Sequence, residues 1–139
     1  ENIACFIAEP IQGAGGLIVP PNGYHVRMGA LCTDYDIKYI TDEVVTAFGR
    51  LGHFFASKDV FGVQPDIITT AKGLTSGYQP LSATIISDEI HEVISGEGSM
   101  FLHGMTYSGH PAASAAALAN IALMEKEGST ASTKNRKAF

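Results

Sequence analysis

Asp42-Glu43-Val44-Val45-Thr46-Ala47-Phe48-Gly49-Arg50 and, after a long connection, Pro65-Asp66-Ile67-Ile68-Thr69-Thr70-Ala71-Lys72-Gly73 decide how this chain reads. An Asp closes one short apolar run, residues 37–41, and a Lys closes the next, residues 67–71. Runs of that length bounded by turn residues read as buried strands of an α/β sheet. In open α/β sheets, ligands collect beyond the carboxyl ends of the strands. An acid and an amine would then face one crevice from separate strand ends. On residue type alone they are either an ion pair or two parts of a site.

Upstream, residues 3–8 read as a buried strand that stops at Glu9-Pro10, because proline has no N–H to give the ladder. Gly13, Gly15 and Gly16 follow, a backbone able to approach a ligand closely. Pro20-Pro21-Asn22-Gly23 marks a turn and a helix start. Tyr24, Met28, Leu31, Cys32 and Tyr35 recur at three- and four-residue spacing, which predicts an amphipathic helix from 24 to about 35. With strand 37–41 this makes a strand–helix–strand unit with parallel pairing.

Downstream, residues 43–65 form a connection of a length that is often functional. Strand 67–71 leads to Lys72, and Gly73, Gly77 and Pro80 mark an irregular loop. A strand over 82–87 and a short helix over 88–94, with acids in its first turn, come next. An Ala-rich helix follows Pro111 and runs to about Glu127, with the proline near its first turn. Its alanines predict close packing on a sheet or another helix. Residues 1–127 thus read as part of one domain, and 128–139, without periodicity, as a tail.

Composition narrows the function classes. The 139 residues are 45% hydrophobic and 17% charged, a core-forming balance. A formal net charge of -5 weighs against a nucleic-acid partner. No long apolar run or signal-peptide pattern points to a membrane or to export. Cys5 and Cys32 lack C-x-x-C spacing and suit free thiols in a reducing cytoplasm. The histidines at 25, 53, 91, 103 and 110 lack metal-ligand spacing. Neither a phosphate-binding Gly-Lys-Ser/Thr loop nor a Gly-x-Ser-x-Gly elbow is present.

Lys72 follows an apolar strand, so its stem is expected to be partly buried. A desolvated amine becomes a nucleophile toward carbonyls, whereas an ordinary strand-end lysine reaches solvent. Asp42 is either a cap for the next helix or a holder of a cation or protonated ring nitrogen. A lysine and an acid are the two residue types that pyridoxal phosphate chemistry needs.

The pattern Asp42-Glu43-Val44-x-x-Ala47-Phe48-Gly49-Arg50-x-Gly52, with Pro65-Asp66-Ile67 and Ala71-Lys72-Gly73-Leu74-x-Ser76-Gly77-Tyr78-x-Pro80-Leu81, resembles the signature of class III pyridoxal-phosphate aminotransferases. The resemblance extends through Glu9-Pro10-Ile11-Gln12-Gly13-x-Gly15-Gly16, Pro21-x-Gly23-Tyr24 and His103-Gly104-x-Thr106-Tyr107-Ser108-Gly109-His110-Pro111. Ala47 and Ser82 stand where glycine is common in the family. The resemblance implies part of a fold type I large domain, a mostly parallel α/β sheet flanked by helices. It also implies pyridoxal 5'-phosphate as cofactor.

By position, Lys72 would join the cofactor aldehyde as a Schiff base and later carry the proton. Asp42 would pair with the pyridine nitrogen, and Val44 would pack on the ring. Thr106 would reach the phosphate in a partner subunit, which implies a homodimer with shared sites. Glu9 would stand near the ring and the substrate carboxylate, or merely cap the glycine loop. Arg50 is expected to brace the long connection, and Gln12 to line the pocket. The phosphate loop would lie upstream of Glu1 and the substrate-carboxylate arginine beyond Phe139. The implied reaction moves an amino group to a keto acid, pyruvate or 2-oxoglutarate, in the manner of the ω-amino acid and polyamine:pyruvate group. An aminomutase or decarboxylase of the same fold, and an inactive fragment, stay open as alternatives.

Overall fold

A computed structural model describes residues 2–128. Four strands, β1 (Cys5–Ala8), β2 (Lys38–Asp42), β3 (Ile67–Thr70) and β4 (Ala83–Ile86), stand in the sheet in chain order. The first two pairings are parallel and the last is antiparallel. Helices α1 (Tyr24–Asp34), α2 (Ala56–Asp59), α3 (Asp88–Ser95) and α4 (Pro111–Glu127) complete it. The architecture is the expected mostly parallel α/β arrangement.

The core sits where α1 crosses β2. Phe6 and Tyr39 are paired in register on adjacent strands, with ring centroids 5.4 Å apart. Cys32, Met28, Ile37 and Val63 pack around them. Gly29 lets the helix approach, since a Cβ there would lie 2.8 Å from Val63 Cγ2. His25 is buried under the same layer. Its Nε2 lies 3.0 Å from the Pro10 carbonyl, which can only accept, so Nε2 carries the hydrogen. In the neutral ring Nδ1 then accepts from the Tyr39 hydroxyl at 2.7 Å. Burial, with Tyr24 and Cys32 nearby, pushes the Tyr39 phenol up to about 12. This chain of bonds ties the end of β1 to α1 and β2.

The long connection 43–65 holds the short helix α2. The expected close packing of α4 is made chiefly against a single helical turn. Its buried Ala113, Ala117 and Met124, with Asn120 between them, face a short 3₁₀ turn, Lys72–Thr75, just after β3. Small alanines let the helix come close to that turn. Gly128 closes α4 in the left-handed conformation (φ 62), as helix ends favour. The rest of the expected tail lies outside the described residues. Among these, no helix is long and apolar enough to cross a membrane.

Candidate active site

Three chemically capable side chains arrive from adjacent parallel strands. Glu9 follows β1 directly, Asp42 is the last residue of β2, and Lys72 comes two residues after β3 ends. The register pairs Ala8 with Thr41 and Asp42 with Thr69. Neighbouring strands lie about 4.8 Å apart. The sheet therefore brings the three backbones to one rim.

Asp42 is half-buried. Its Oδ1 accepts from the Val44 N–H at 3.0 Å, a bond to the backbone two residues on. It forms a local turn rather than a helix cap, and the turn fixes the carboxylate. Among the described residues its Oδ2 has no partner, and Asp42 and Lys72 form no ion pair.

Glu43, next in sequence, does the bracing expected of Arg50. It is fully buried. Oε1 accepts from the Ser57 N–H (2.9 Å) and hydroxyl (2.7 Å). Oε2 accepts from the Ala56 N–H (2.7 Å) and the Thr46 hydroxyl (3.0 Å). The carboxylate thus satisfies two otherwise orphan N–H groups at the start of α2 and pins the connection onto the end of β2. Arg50 is exposed and has no hydrogen bond to the connection among the described residues.

Lys72 is exposed, contrary to the expected partial burial. The chain leaves the strand at Thr70, and the 3₁₀ turn lifts the lysine off the sheet. Its backbone is left-handed, φ 41, which a non-glycine residue adopts only under constraint. Gly73 supplies part of it. A Cβ there would sit 2.9 Å from Phe48 Cβ, so the turn rests directly on the connection. Asn120 of α4 supplies the rest, donating to the carbonyls of Gly73 (2.8 Å) and Leu74 (3.1 Å). Lys72 lines a cavity of about 300 Å³ with Val44, Phe48 and Arg50, and one of about 650 Å³ with Thr75 and Gln79.

Glu9 is half-buried, and its Oε2 accepts from the Gly13 N–H at 2.8 Å, so it does cap the glycine loop. With Gln12 it lines a separate cavity of about 330 Å³ beside Tyr24 and His25. Thr106 stands in an exposed turn closed by Ser108 N–H to Met105 O at 2.9 Å and does not line the cavities around Lys72. The geometry suits pyridoxal phosphate: a fixed carboxylate with one open oxygen, an apolar Val44 next to it, and an amine on the neighbouring strand end. No three His, Cys, Asp or Glu side chains converge as metal ligands among the described residues.

Sequence reasoning missed Glu43 and Asn120 as supports. Asn120 had a signal, being the polar member of the 113, 117, 120, 124 face of an alanine-rich helix. Glu43 had little, since only the Thr46 hydroxyl is local and its other donors lie thirteen and fourteen residues away.

The family model described as Aminotransferase class-III matches residues 1–139. The putrescine–pyruvate aminotransferase of Pseudomonas aeruginosa is 52% identical over 127 residues, 91% of this chain and 27% of that protein. The diaminobutyrate–2-oxoglutarate transaminase of Halomonas elongata is 48% identical over 142 residues, 100% of this chain and 30% of that protein. The chain thus spans under a third of these relatives' length. Among solved structures, an (S)-enantioselective omega-transaminase from Thermomicrobium roseum superposes with a TM-score of 0.86 at 52% identity, over 90% of this chain and 28% of that one. An amine transaminase from an uncultivated Pseudomonas species, in its PLP-bound form, gives 0.84 at 51% identity, over 90% and 29%.

Proposed function

Since this chain belongs to the class-III aminotransferase family, we propose that it is part of the large domain of a transaminase. That enzyme moves an amino group from an amine or amino acid to a keto acid, pyruvate first. The observation that carries the reading is the rim itself, with Asp42 and Lys72 at the ends of neighbouring parallel strands and unpaired with each other. Pyridoxal 5'-phosphate, when bound, supplies an electron sink for the charge left when a substrate loses its α-proton.

The residues divide the work. Asp42, held by the Val44 N–H, keeps one carboxylate oxygen for a protonated ring nitrogen, through a charge-assisted hydrogen bond. Lys72 Nζ would hold the cofactor at its aldehyde carbon, and the same amine is the group on this chain that would take and return the substrate proton as general base and acid. Val44 gives the ring an apolar wall. Glu9 stays a structural cap on the glycine loop that borders the site. Thr106, exposed on its turn, would meet the cofactor phosphate of a second copy, which makes the enzyme a homodimer with shared sites. The two free thiols suit a cytoplasmic enzyme.

The acceptor follows the relatives named for pyruvate and 2-oxoglutarate. The test supplies the complete enzyme with putrescine and pyruvate and follows alanine. Transfer that Lys72→Ala abolishes is expected. Decarboxylation or intramolecular amine migration in place of transfer refutes the reaction, and full activity in Lys72→Ala refutes the lysine's role.

A further inference from the structure

We propose that Asn120 is a positioning residue for Lys72, holding the lysine's left-handed turn through the two carbonyls that follow it. The inference rests on the reading of Lys72 as the cofactor anchor. It starts from an unusual backbone. Lys72 and Ser76 flank the turn at φ 41 and φ 50, and neither is glycine. Such conformations are strained and persist only where the surroundings over-determine them. Turn residues also bond within the turn, with Leu74 N–H to Ala71 O at 2.9 Å and Ser76 N–H to Gly73 O at 3.2 Å. Those bonds close it without fixing its tilt on the sheet.

The tilt is fixed from α4. The Ser76 hydroxyl donates to Asn120 Oδ1 at 2.6 Å. That contact sets the amide's orientation, because Nδ2 must then face the carbonyls of Gly73 and Leu74, which can only accept. Asn120 thereby touches the turn at Gly73 and Leu74 and the residue that follows it, Ser76, and the buried Ala113, Ala117 and Met124 share its helix face. From the other side Phe48 leaves no room for a side chain at Gly73. The lysine's Cα–Cβ direction is therefore set between a helix and the 43–65 connection. Loss of the amide frees two carbonyls and lets Lys72 relax toward negative φ, which swings its side chain off the rim.

A displacement of about 1 Å at a reacting group can cost about a hundredfold in rate. The test uses the complete enzyme, stripped of cofactor and reloaded with pyridoxal phosphate well below its melting temperature. Two quantities are read: the rate at which the visible band of lysine-bound cofactor appears, and kcat and KM separately. Asn120→Ala is expected to slow both the band and kcat about 10- to 100-fold with KM within about threefold, as for a lost orientation rather than lost binding. Asn120→Asp keeps shape but sets a carboxylate against two carbonyls, and should do no better. Ser76→Ala, which leaves both amide donors, should fall between it and the parent.

Ala119→Gly, on the exposed side of α4, is the control for general weakening. It loosens the same helix without touching the turn or the face packed on it, and should form the band at the parental rate. Parental band formation and kcat in Asn120→Ala would overturn the inference, as would an equal slowing in Ala119→Gly. A Lys72→Ala enzyme that still forms the band would instead refute the anchor reading, so the two failures are distinguishable.

Discussion

Replacing Glu43 by Gln tests the brace beneath the site in a way the geometry quantifies. Each carboxylate oxygen accepts one backbone N–H and one hydroxyl: Ser57 N and Oγ at Oε1, Ala56 N and Thr46 Oγ1 at Oε2. A glutamine has one carbonyl and one NH₂. In either orientation the NH₂ meets a hydroxyl, which can turn to accept, and a backbone N–H, which cannot. One of the two amides is therefore left without an acceptor in a fully buried place, at about 1–3 kcal/mol. The other keeps a neutral bond in place of a charge-assisted one, a further loss of about 1 kcal/mol. The sum, about 2–4 kcal/mol, corresponds to local opening about 30- to 700-fold more frequent. Amide hydrogen exchange in the complete protein reads this directly at Ala56 and Ser57. One of the two should accelerate by that factor and more than the other, while the amides of β2 change less. Exchange at both within threefold of the parent would refute the reasoning that this carboxylate holds the connection down.

Two further outcomes follow from the same coordinates. Tyr39 has its hydroxyl pK raised by burial to about 12, so the folded state keeps a proton that the unfolded chain releases near 10. Its contribution is intact below pH 10 and lost as pH rises to 12, about 2–3 kcal/mol in all. Denaturation measured across that window should show a steeper alkaline loss than in Tyr39→Phe, and parallel curves would contradict it. Gly73→Ala places a Cβ 2.9 Å from Phe48 Cβ and should cost about 1–3 kcal/mol in thermal or denaturant stability. Phe48→Ala retains the clashing Cβ and should not relieve it. Phe48→Gly, which also suits φ 54 at that position, should, and rescue by alanine would overturn the clash.

The elements were legible because each carries its own period and punctuation. Residues 24–35 repeat at helical spacing and form Tyr24–Asp34, and the apolar run 67–71 yields Ile67–Thr70. The acids Asp88 and Glu89 marked the first turn of α3, whereas Ser87, expected in the strand, caps the helix by accepting from the Ile90 N–H at 3.5 Å. Asp42 and Lys72 were legible as strand-end residues for the same reason. Less visible was everything that depends on contacts distant in sequence. The exposure of Lys72 follows from a turn whose shape is set by Phe48 and Asn120, and no local pattern around Ala71-Lys72-Gly73 encodes either. The buried charge at Glu43 reads, from sequence, like one more acid after a strand. Its role exists only once α2 folds back to offer two N–H groups. The brace expected of Arg50 is a donor, whereas an acceptor is needed here, since the groups requiring satisfaction are donors.

The separation of Asp42 from Lys72 can be argued from energy as well as from register. Opposite charges about 4 Å apart attract by about 4 kcal/mol in a half-exposed setting before desolvation and ordering costs are subtracted. Side chains on neighbouring strand ends could close that distance if both were free. Neither is. The carboxylate is turned toward its own chain by the Val44 N–H, and the lysine leaves the sheet on a left-handed turn clamped between Phe48 and Asn120. Two independent restraints thus hold apart a pair that electrostatics would draw together. One such restraint has an ordinary structural explanation in turn formation. Both together, around an apolar Val44, are what a rim needs if its acid and its amine are to grip opposite ends of the same planar ring.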